Sequence, residues 1–277
     1  MPYEFLKGHG TENDFVLLPD LDGTIHGELD AQQLTDRVRA LCDRRAGIGG
    51  DGVLRVVRSS APDVEWFMDY RNSDGSLSEM CGNGIRLFVR YLVDSGLAHP
   101  SAPIAVDTRD GVKTLTVDGD LITVDMGTPK VLGDTTVIAD GITWAARHVD
   151  MGNPHAVAFV SSLDEPGSLL EPPRHDPAVY PDGVNIEFVV RRGERHIAMR
   201  VHERGSGETR SCGTGACAAM VATAVARDDR PGANGGQGDV AYRVDVPGGT
   251  LTVTWTADDR ILLTGPAVVV ASGTTDL

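Results

Sequence analysis

The run Ala216 to Ala226 reads as a helix, and it carries no charged residue on any face. A helix that is apolar all round has to be buried on every side. It is too short to cross a bilayer, so protein must cover it. The surrounding sequence is rich in strand candidates and offers few helices. A strongly curved sheet wrapped around a central helix is the arrangement that buries such a run. With 277 residues and 41% hydrophobic content, the chain can fill one large domain or two smaller ones.

The pattern favours two. In the first half, strands are predicted at Tyr3 to Leu6, Phe15 to Leu18, Val53 to Arg58 and Val64 to Arg71. Three more follow at Ile104 to Thr108, Val112 to Val117 and Leu121 to Met126, with Asp118-Gly119 as a hairpin turn. Gly8 to Asp14 reads as a loop. Ala31 to Arg44 reads as an amphipathic helix with Asp30 as its N-cap, and Ile85 to Asp94 as a second helix. The later strands are Thr135 to Ala139, Thr143 to Asp150, Ala156 to Val160, Val184 to Val190, His196 to Val201, Val240 to Val246, Thr250 to Thr256 and Arg260 to Thr264. Glu165 to Pro181 reads as surface loop with one short helix, and Asp228 to Asp239 as a flexible loop.

An ordered repeat links the halves. Val106-Asp107-Thr108-Arg109-Asp110-Gly111 precedes Thr114-Leu115-Thr116-Val117, and Val244-Asp245-Val246-Pro247-Gly248-Gly249 precedes Thr250-Leu251-Thr252-Val253. The expected fold is α+β, in two pseudo-symmetric units. Each is a curved, largely antiparallel sheet wrapped around a central helix. The units span 1–127 and 128–265, with a C-terminal strand, 266–277, free to pack back on the first.

Each unit also opens its helix in the same way. Cys81-Gly82-Asn83-Gly84 starts one, and Cys212-Gly213-Thr214-Gly215 starts the other. A helix start stabilises a thiolate through its dipole and its free N–H groups. Two thiols facing one small chiral molecule can invert a stereocentre: one takes a proton from a carbon, and the other returns a proton to the opposite face. The backbone N–H groups of Gly82, Asn83, Gly213 and Thr214 suit a substrate carboxylate. Arg204 suits a second carboxylate, and Glu203 an ammonium. Other readings stand beside these. Glycine after cysteine is ordinary turn chemistry, His155 alone can satisfy local backbone groups, and Glu203 with Arg204 can be a solvated pair.

Several classes fall away. A net charge of −15 argues against nucleic acid and anionic membranes as partners. The amino terminus lacks the basic-then-apolar pattern of a signal peptide. The four cysteines make no disulfide framework, and Cys212-x-x-x-x-Cys217 lacks a second pair of metal ligands. Cys42 and Cys217 read as packing residues. A cytoplasmic protein with reduced thiols is the expectation. Gly47-Ile48-Gly49-Gly50-Asp51-Gly52 matches G-x-G-x-x-G, but a helix precedes it and a strand follows. That context is the reverse of a dinucleotide site. The two-thiol scheme needs neither metal nor pyridoxal phosphate, and none of the three lysines sits beside a recognisable phosphate site.

At these residues the sequence resembles the diaminopimelate epimerase family over almost its whole length. The likeness rests on His9-Gly10 with Asn13-Asp14-Phe15, Gly47-Ile48-Gly49 with Asp51, Asn72 with Asp74-Gly75, and Glu79 through Arg86. It continues at Met151-Gly152-Asn153-Pro154-His155, Asn185, Glu203-Arg204-Gly205, Glu208 and Ser211 through Ala216. The resemblance implies cofactor-independent interconversion of LL- and meso-diaminopimelate, for lysine and peptidoglycan precursors, by an enzyme that is often a homodimer. It implies Cys81 and Cys212 as the acid/base pair, with Cys212 accepting and Cys81 donating in the LL-to-meso direction, and support from His155 and Glu203. Asn13, Asn72, Asn153, Asn185, Glu203 and Arg204 would hold the substrate, with the backbones of Gly82, Asn83, Gly213 and Thr214. Two departures stand out. Thr11-Glu12 interrupts the first motif, and Gly52 stands where a substrate-contacting glutamine is common. Two rivals remain: a proline-type racemase, which typically has histidine in place of Asn83, and a non-catalytic binding protein of the same fold.

Overall fold

The computed structural model describes residues 2–233 and 238–277. Residues 234–237, part of the loop expected at Asp228 to Asp239, lie outside the described residues. The chain forms two compact units, Met1–Val124 with Gly265–Leu277, and Asp125–Thr264.

The strands of the first unit are β1 (Tyr3–Gly10), β2 (Asn13–Pro19), β3 (Gly52–Arg58), β4 (Trp66–Asn72), β5 (Ile104–Asp107), β6 (Lys113–Asp118), β7 (Leu121–Asp125) and, from the end of the chain, β18 (Val268–Thr275). β18 pairs antiparallel with β1, and β1 with β2; β2 runs parallel to β3; β3 pairs antiparallel with β4; β4 runs parallel to β5; and β5, β6 and β7 form an antiparallel meander. Parallel neighbours need a crossover connection. Helix α1 (Ala31–Cys42) supplies it between β2 and β3, and α2 (Gly82–Asp94) between β4 and β5. Asp30 caps α1, with Gln33 closing a reciprocal capping box. Leu34, Val38, Leu41 and Cys42 form its buried face. α2 touches β1, β2, β3, β4 and β18, and Ile85, Leu87, Phe88, Val89 and Leu92 are wholly buried.

In the second unit β8 (Lys130–Ala139), β9 (Ile142–Asp150) and β10 (Pro154–Phe159) pair antiparallel in turn. β10 runs parallel to β12 (Asn185–Gly193), which pairs antiparallel with β13 (His196–Glu203). β13 runs parallel to β15 (Val240–Val246), and β16 (Gly249–Trp255) and β17 (Ile261–Pro266) follow antiparallel. Short strands β11 (Arg174–His175) and β14 (Gly207–Thr209) flank β8 and β13. Helix α3 (Gly213–Ala226) is the β13-to-β15 crossover, and it packs on β9, β10, β12, β13, β15 and β16. Gly213 and Gly215 through Ala224 are all buried, as a charge-free helix requires.

Two expectations need correction. Gly8 to Asp14 is not a loop: β1 and β2 run through it and turn at Thr11 and Glu12, whose φ angles are 48° and 60°. A tight hairpin wants left-handed backbone there, which strains a β-branched threonine by about 1 kcal/mol. Glu165 to Pro181 contains no helix; its one regular piece is β11, which pairs with β8. No described helix is long and apolar enough to cross a membrane.

Candidate active site

In the first unit Cys81 is the N-cap of α2, with extended backbone and no side-chain capping bond. Its Sγ lies 3.6 Å from Asn13 Oδ1, which also accepts a hydrogen bond from Asn83 Nδ2 at 3.1 Å. The other end of the Asn13 amide donates to Asp51 Oδ2 at 2.8 Å. A carboxylate accepts only, so Asp51 fixes which way the amide points. Asn13 therefore offers the thiol an acceptor, and an acceptor stabilises S–H rather than the thiolate.

Charges behind Asn13 hold this arrangement. Arg44 reaches both Asp14 and Asp51 at 2.7 Å, and Lys7 reaches Asp14 at 2.5 Å. Burial works to raise Asp14, yet the Arg44 and Lys7 hydrogen bonds hold its carboxyl well below the usual range. Asp51 is pushed up, first by burial and then by the charge of Asp14.

The start of α2 is equally well fixed. Arg86 is wholly buried, and it donates to Gly82 O and Asn83 Oδ1, each at 3.0 Å. The Asn83 side chain is thus engaged at both ends by protein. A Cβ at Gly10 would come within 2.9 Å of Asn83 O, so the β1–β2 hairpin needs glycine there to approach the helix start.

Gly52 has its own cause. A Cβ there would meet Arg71 O at 2.5 Å and Tyr70 Cε2 at 2.8 Å. The tyrosine ring fills the space, and its hydroxyl donates to Asn72 Oδ1 at 2.9 Å. Asn72 Nδ2 donates in turn to Ser76 Oγ at 3.0 Å. Asn72 is thus held by β4 and the following turn.

The chain bends at Gly47 and Ile48. Ile48 and Gly49 both donate from their backbone N–H to Leu41 O, folding the chain back over the end of α1.

In the second unit Cys212 is the N-cap of α3, and here the sulfur is a cap: Gly215 N donates to it at 3.4 Å. Thr214 Oγ1 lies 3.5 Å from the same sulfur. Burial pushes the Cys212 thiol well above its ordinary range, and the negative charges of Glu203 and Glu187 add to this. The contacts with Thr214 and Gly215 oppose it.

Behind Thr214 stand Asn153, whose Nδ2 donates to Thr214 Oγ1 at 3.3 Å, and His155, whose Nε2 lies 2.9 Å from Asn153 Oδ1. His155 Nδ1 lies 2.6 Å from Glu187 Oε1, with both side chains wholly buried. Glu187 is the residue that sequence reasoning missed. The signal was a single carboxylate within the apolar run Val184 to Val190, where strand alternation alone makes it look like a tolerated polar position.

The remaining residues form a second group. Asn185 Nδ2 donates to Pro154 O at 3.1 Å, and Arg204 N donates to Asn185 Oδ1 at 3.0 Å. The Arg204 side chain is exposed and donates to Asp182 O at 3.3 Å. Glu203 accepts from the hydroxyl of Thr209 across the β13–β14 hairpin. Cys42 is a packing residue in α1, pushed by burial to about 12, and Cys217 is wholly buried in α3.

Solved structures with this fold place the chain in a broad class. It matches a Bacillus anthracis phenazine biosynthesis protein of the PhzF family with a TM-score of 0.75 at 16% identity, each chain covered in full. A hydroxyproline epimerase from Agrobacterium vitis matches with a TM-score of 0.69 at 16% identity, covering 99% of this chain and 91% of that one. At such identities the likeness defines the fold, an α+β architecture dominated by its sheets.

Sequence comparison is narrower. The family model for diaminopimelate epimerase matches residues 5–132 and 147–270. The diaminopimelate epimerase of Streptomyces coelicolor is 57% identical, over 98% of this chain and 95% of its own. That of Rhodococcus jostii is 45% identical, over 99% and 97%. The chain belongs to the diaminopimelate epimerase family, and with it among the isomerases.

Proposed function

We propose that this protein interconverts LL- and meso-2,6-diaminopimelate without pyridoxal phosphate or another cofactor, using Cys81 and Cys212 as acid and base. The observation that carries the reading is the opposite polarity of the two thiols' surroundings. Cys81 meets an acceptor whose orientation Asp51 fixes, so it is kept as a proton donor. Cys212 meets the Gly215 N–H and the Thr214 hydroxyl, so its thiolate has donors waiting. In the LL-to-meso direction Cys212 takes the α-proton and Cys81 gives one to the opposite face. In the reverse direction the roles exchange.

The substrate completes the chemistry. Its reacting carboxylate takes N–H groups at the helix starts, from Gly82 and Asn83 on one helix and Gly213 and Thr214 on the other. Its ammonium goes to Glu203. That contact neutralises the Glu203 charge, which raises the Cys212 thiol, so substrate binding itself favours the base form. Arg204 takes the distal carboxylate through its exposed guanidinium. Asn13, Asn72, Asn153 and Asn185 supply the remaining donors and acceptors, and His155 supports the Cys212 side. Buried polar groups of this kind reject analogues that lack the distal amino-acid group.

The protein works in the cytoplasm, with both thiols reduced, and as a homodimer. The uncharged strand β18, with Val268 and Val270 exposed, is a surface suited to a second copy.

Proton NMR of LL-diaminopimelate in D2O, with reduced protein and no added cofactor, tests the reading. Deuterium at the α-position together with the meso isomer is the expected result. Exchange with proline or hydroxyproline and none with diaminopimelate overturns it in favour of a proline-type racemase.

A further inference from the structure

We propose that Glu187 is a positioning residue that turns the Thr214 hydroxyl toward Cys212, acting through His155 and Asn153. The inference rests on Cys212 being one of the two acid/base groups. It concerns how the protein prepares that thiol before any substrate arrives.

The argument is one of hydrogen count. His155 Nδ1 faces a carboxyl oxygen of Glu187, and Nε2 faces the amide oxygen of Asn153. An amide oxygen only accepts, so Nε2 carries a hydrogen. Nδ1 and Glu187 Oε1, 2.6 Å apart, share a second one. The Glu187–His155 pair therefore holds two hydrogens and no net charge. Its burial demands this, because an uncompensated charge at a wholly buried position is costly. Two further observations agree. Burial pushes the Glu187 carboxyl up, and its Oε2 is buried without a hydrogen-bond partner, a place where a full carboxylate charge is poorly served.

The consequence runs outward. With Nε2–H donating to Asn153 Oδ1, the amide can point only one way, and its Nδ2 faces Thr214 Oγ1. Thr214 receives a hydrogen on its oxygen, so its own hydroxyl hydrogen is released toward the Cys212 sulfur 3.5 Å away. Every link donates in the same direction, from the buried pair to the thiol. The hydroxyl then joins Gly215 N–H as a donor to the thiolate. No oxidant or co-reactant is involved, and no proton need leave the chain for the effect.

Replacing Glu187 by methionine keeps length but removes the hydrogen shared with Nδ1, whereas glutamine can still donate its amide N–H there. Without that hydrogen His155 can carry its own on Nδ1 and leave Nε2 bare. Asn153 then flips to donate to Nε2, and it presents its oxygen to Thr214. The threonine hydroxyl turns to that oxygen and abandons Cys212. A purely coulombic role for Glu187 gives the opposite sign, because losing a negative charge nearby would favour the thiolate.

The test measures the labelling rate of each thiol by methyl methanethiosulfonate against pH, read by peptide mass spectrometry on the full, substrate-free chain. In Glu187→Met and in Thr214→Val, Cys212 is expected to label on the order of tenfold more slowly near neutral pH, the scale of one lost hydrogen bond to a charged group. Its labelling midpoint moves to higher pH. Cys81 labels at the wild-type rate, and Thr214→Ser and Glu187→Gln, which keep the donors, retain fast labelling of Cys212. Unchanged or faster labelling of Cys212 in Glu187→Met overturns the proposal, as does an unchanged rate in Thr214→Val. Labelling needs no turnover, so this result stands apart from the epimerisation assay: failure here leaves the proposed reaction intact.

Discussion

Each of the two thiols is the N-cap of a crossover helix, yet their surroundings differ in kind. Cys81 is half-buried and looks at an amide oxygen. Cys212 is buried and looks at an N–H and a hydroxyl. The network behind Cys81 is ionic and ends in the exposed Arg44 and the partly buried Lys7. The network behind Cys212 is neutral overall and ends in a sealed Glu187–His155 pair. A helix start brings the same dipole to both. What differs is which end of an asparagine or threonine each thiol meets. Two similar helix starts thus place one thiol against an acceptor and the other against donors.

The strongest way to break the comparison is to remove the thiols. Cys81→Ala and Cys212→Ala are each expected to lower epimerisation by about 10³-fold or more, the scale of a lost general acid or base. α-Proton exchange in D2O reads both. An alanine variant that keeps more than a tenth of wild-type turnover would show that its thiol is not in the proton path.

The next effect concerns the first unit in acid. His26 is buried, Arg37 donates to its Nδ1 at 3.1 Å, and burial lowers it from the ordinary histidine value to about 4. The fold favours neutral His26, whereas the unfolded chain binds the proton more readily. Its contribution is complete above pH ~6.5 and is lost as pH falls toward 4, by about 3 kcal/mol in all. Urea unfolding of the wild type between these limits should show that slope, and His26→Leu should flatten it. Equal slopes in both proteins would remove His26 from the acid response.

Smaller changes sharpen the assignment of substrate contacts. Arg204→Lys keeps the charge but loses the planar fork, and KM for diaminopimelate should rise about tenfold with the melting temperature unchanged. Unchanged KM would place the distal carboxylate elsewhere. Tyr70→Phe removes the hydroxyl that holds Asn72. A rise of KM by a few-fold is expected, about 1 kcal/mol for one neutral hydrogen bond, with the kcat and pH profile of the thiols unaltered. A changed pH profile would mean that the Tyr70–Asn72 pair reaches the acid/base chemistry as well.

Much of this was written in the chain. The charge-free run Ala216 to Ala226 demands a buried helix, and α3 is one. Asp30 announces the start of α1, and the Cys-Gly-x-Gly segments announce the starts of α2 and α3. The rest depends on neighbours distant in sequence. Glycines made Gly8 to Asp14 look like a loop, when they serve the close approach of a hairpin to a helix start. Gly52 and Tyr70 interact only because β3 and β4 pair with Gly52 opposite Asn72. Glu187 acquires meaning only when β10 is laid parallel to β12, which brings it beside His155. Periodicity shows that a strand exists, not which strand will lie next to it.

β1 and β18 come from opposite ends of the polypeptide. Tyr3 pairs with Thr275, and the Tyr3 hydroxyl donates to Leu277 O at 2.6 Å. A ribosome delivers the first of these strands early and the second late, so the first unit lacks a strand through most of translation. The second unit is one contiguous stretch, Asp125–Thr264, and its last residue is synthesised before β18. Maturation therefore runs against the order of synthesis, with the half begun first completed last.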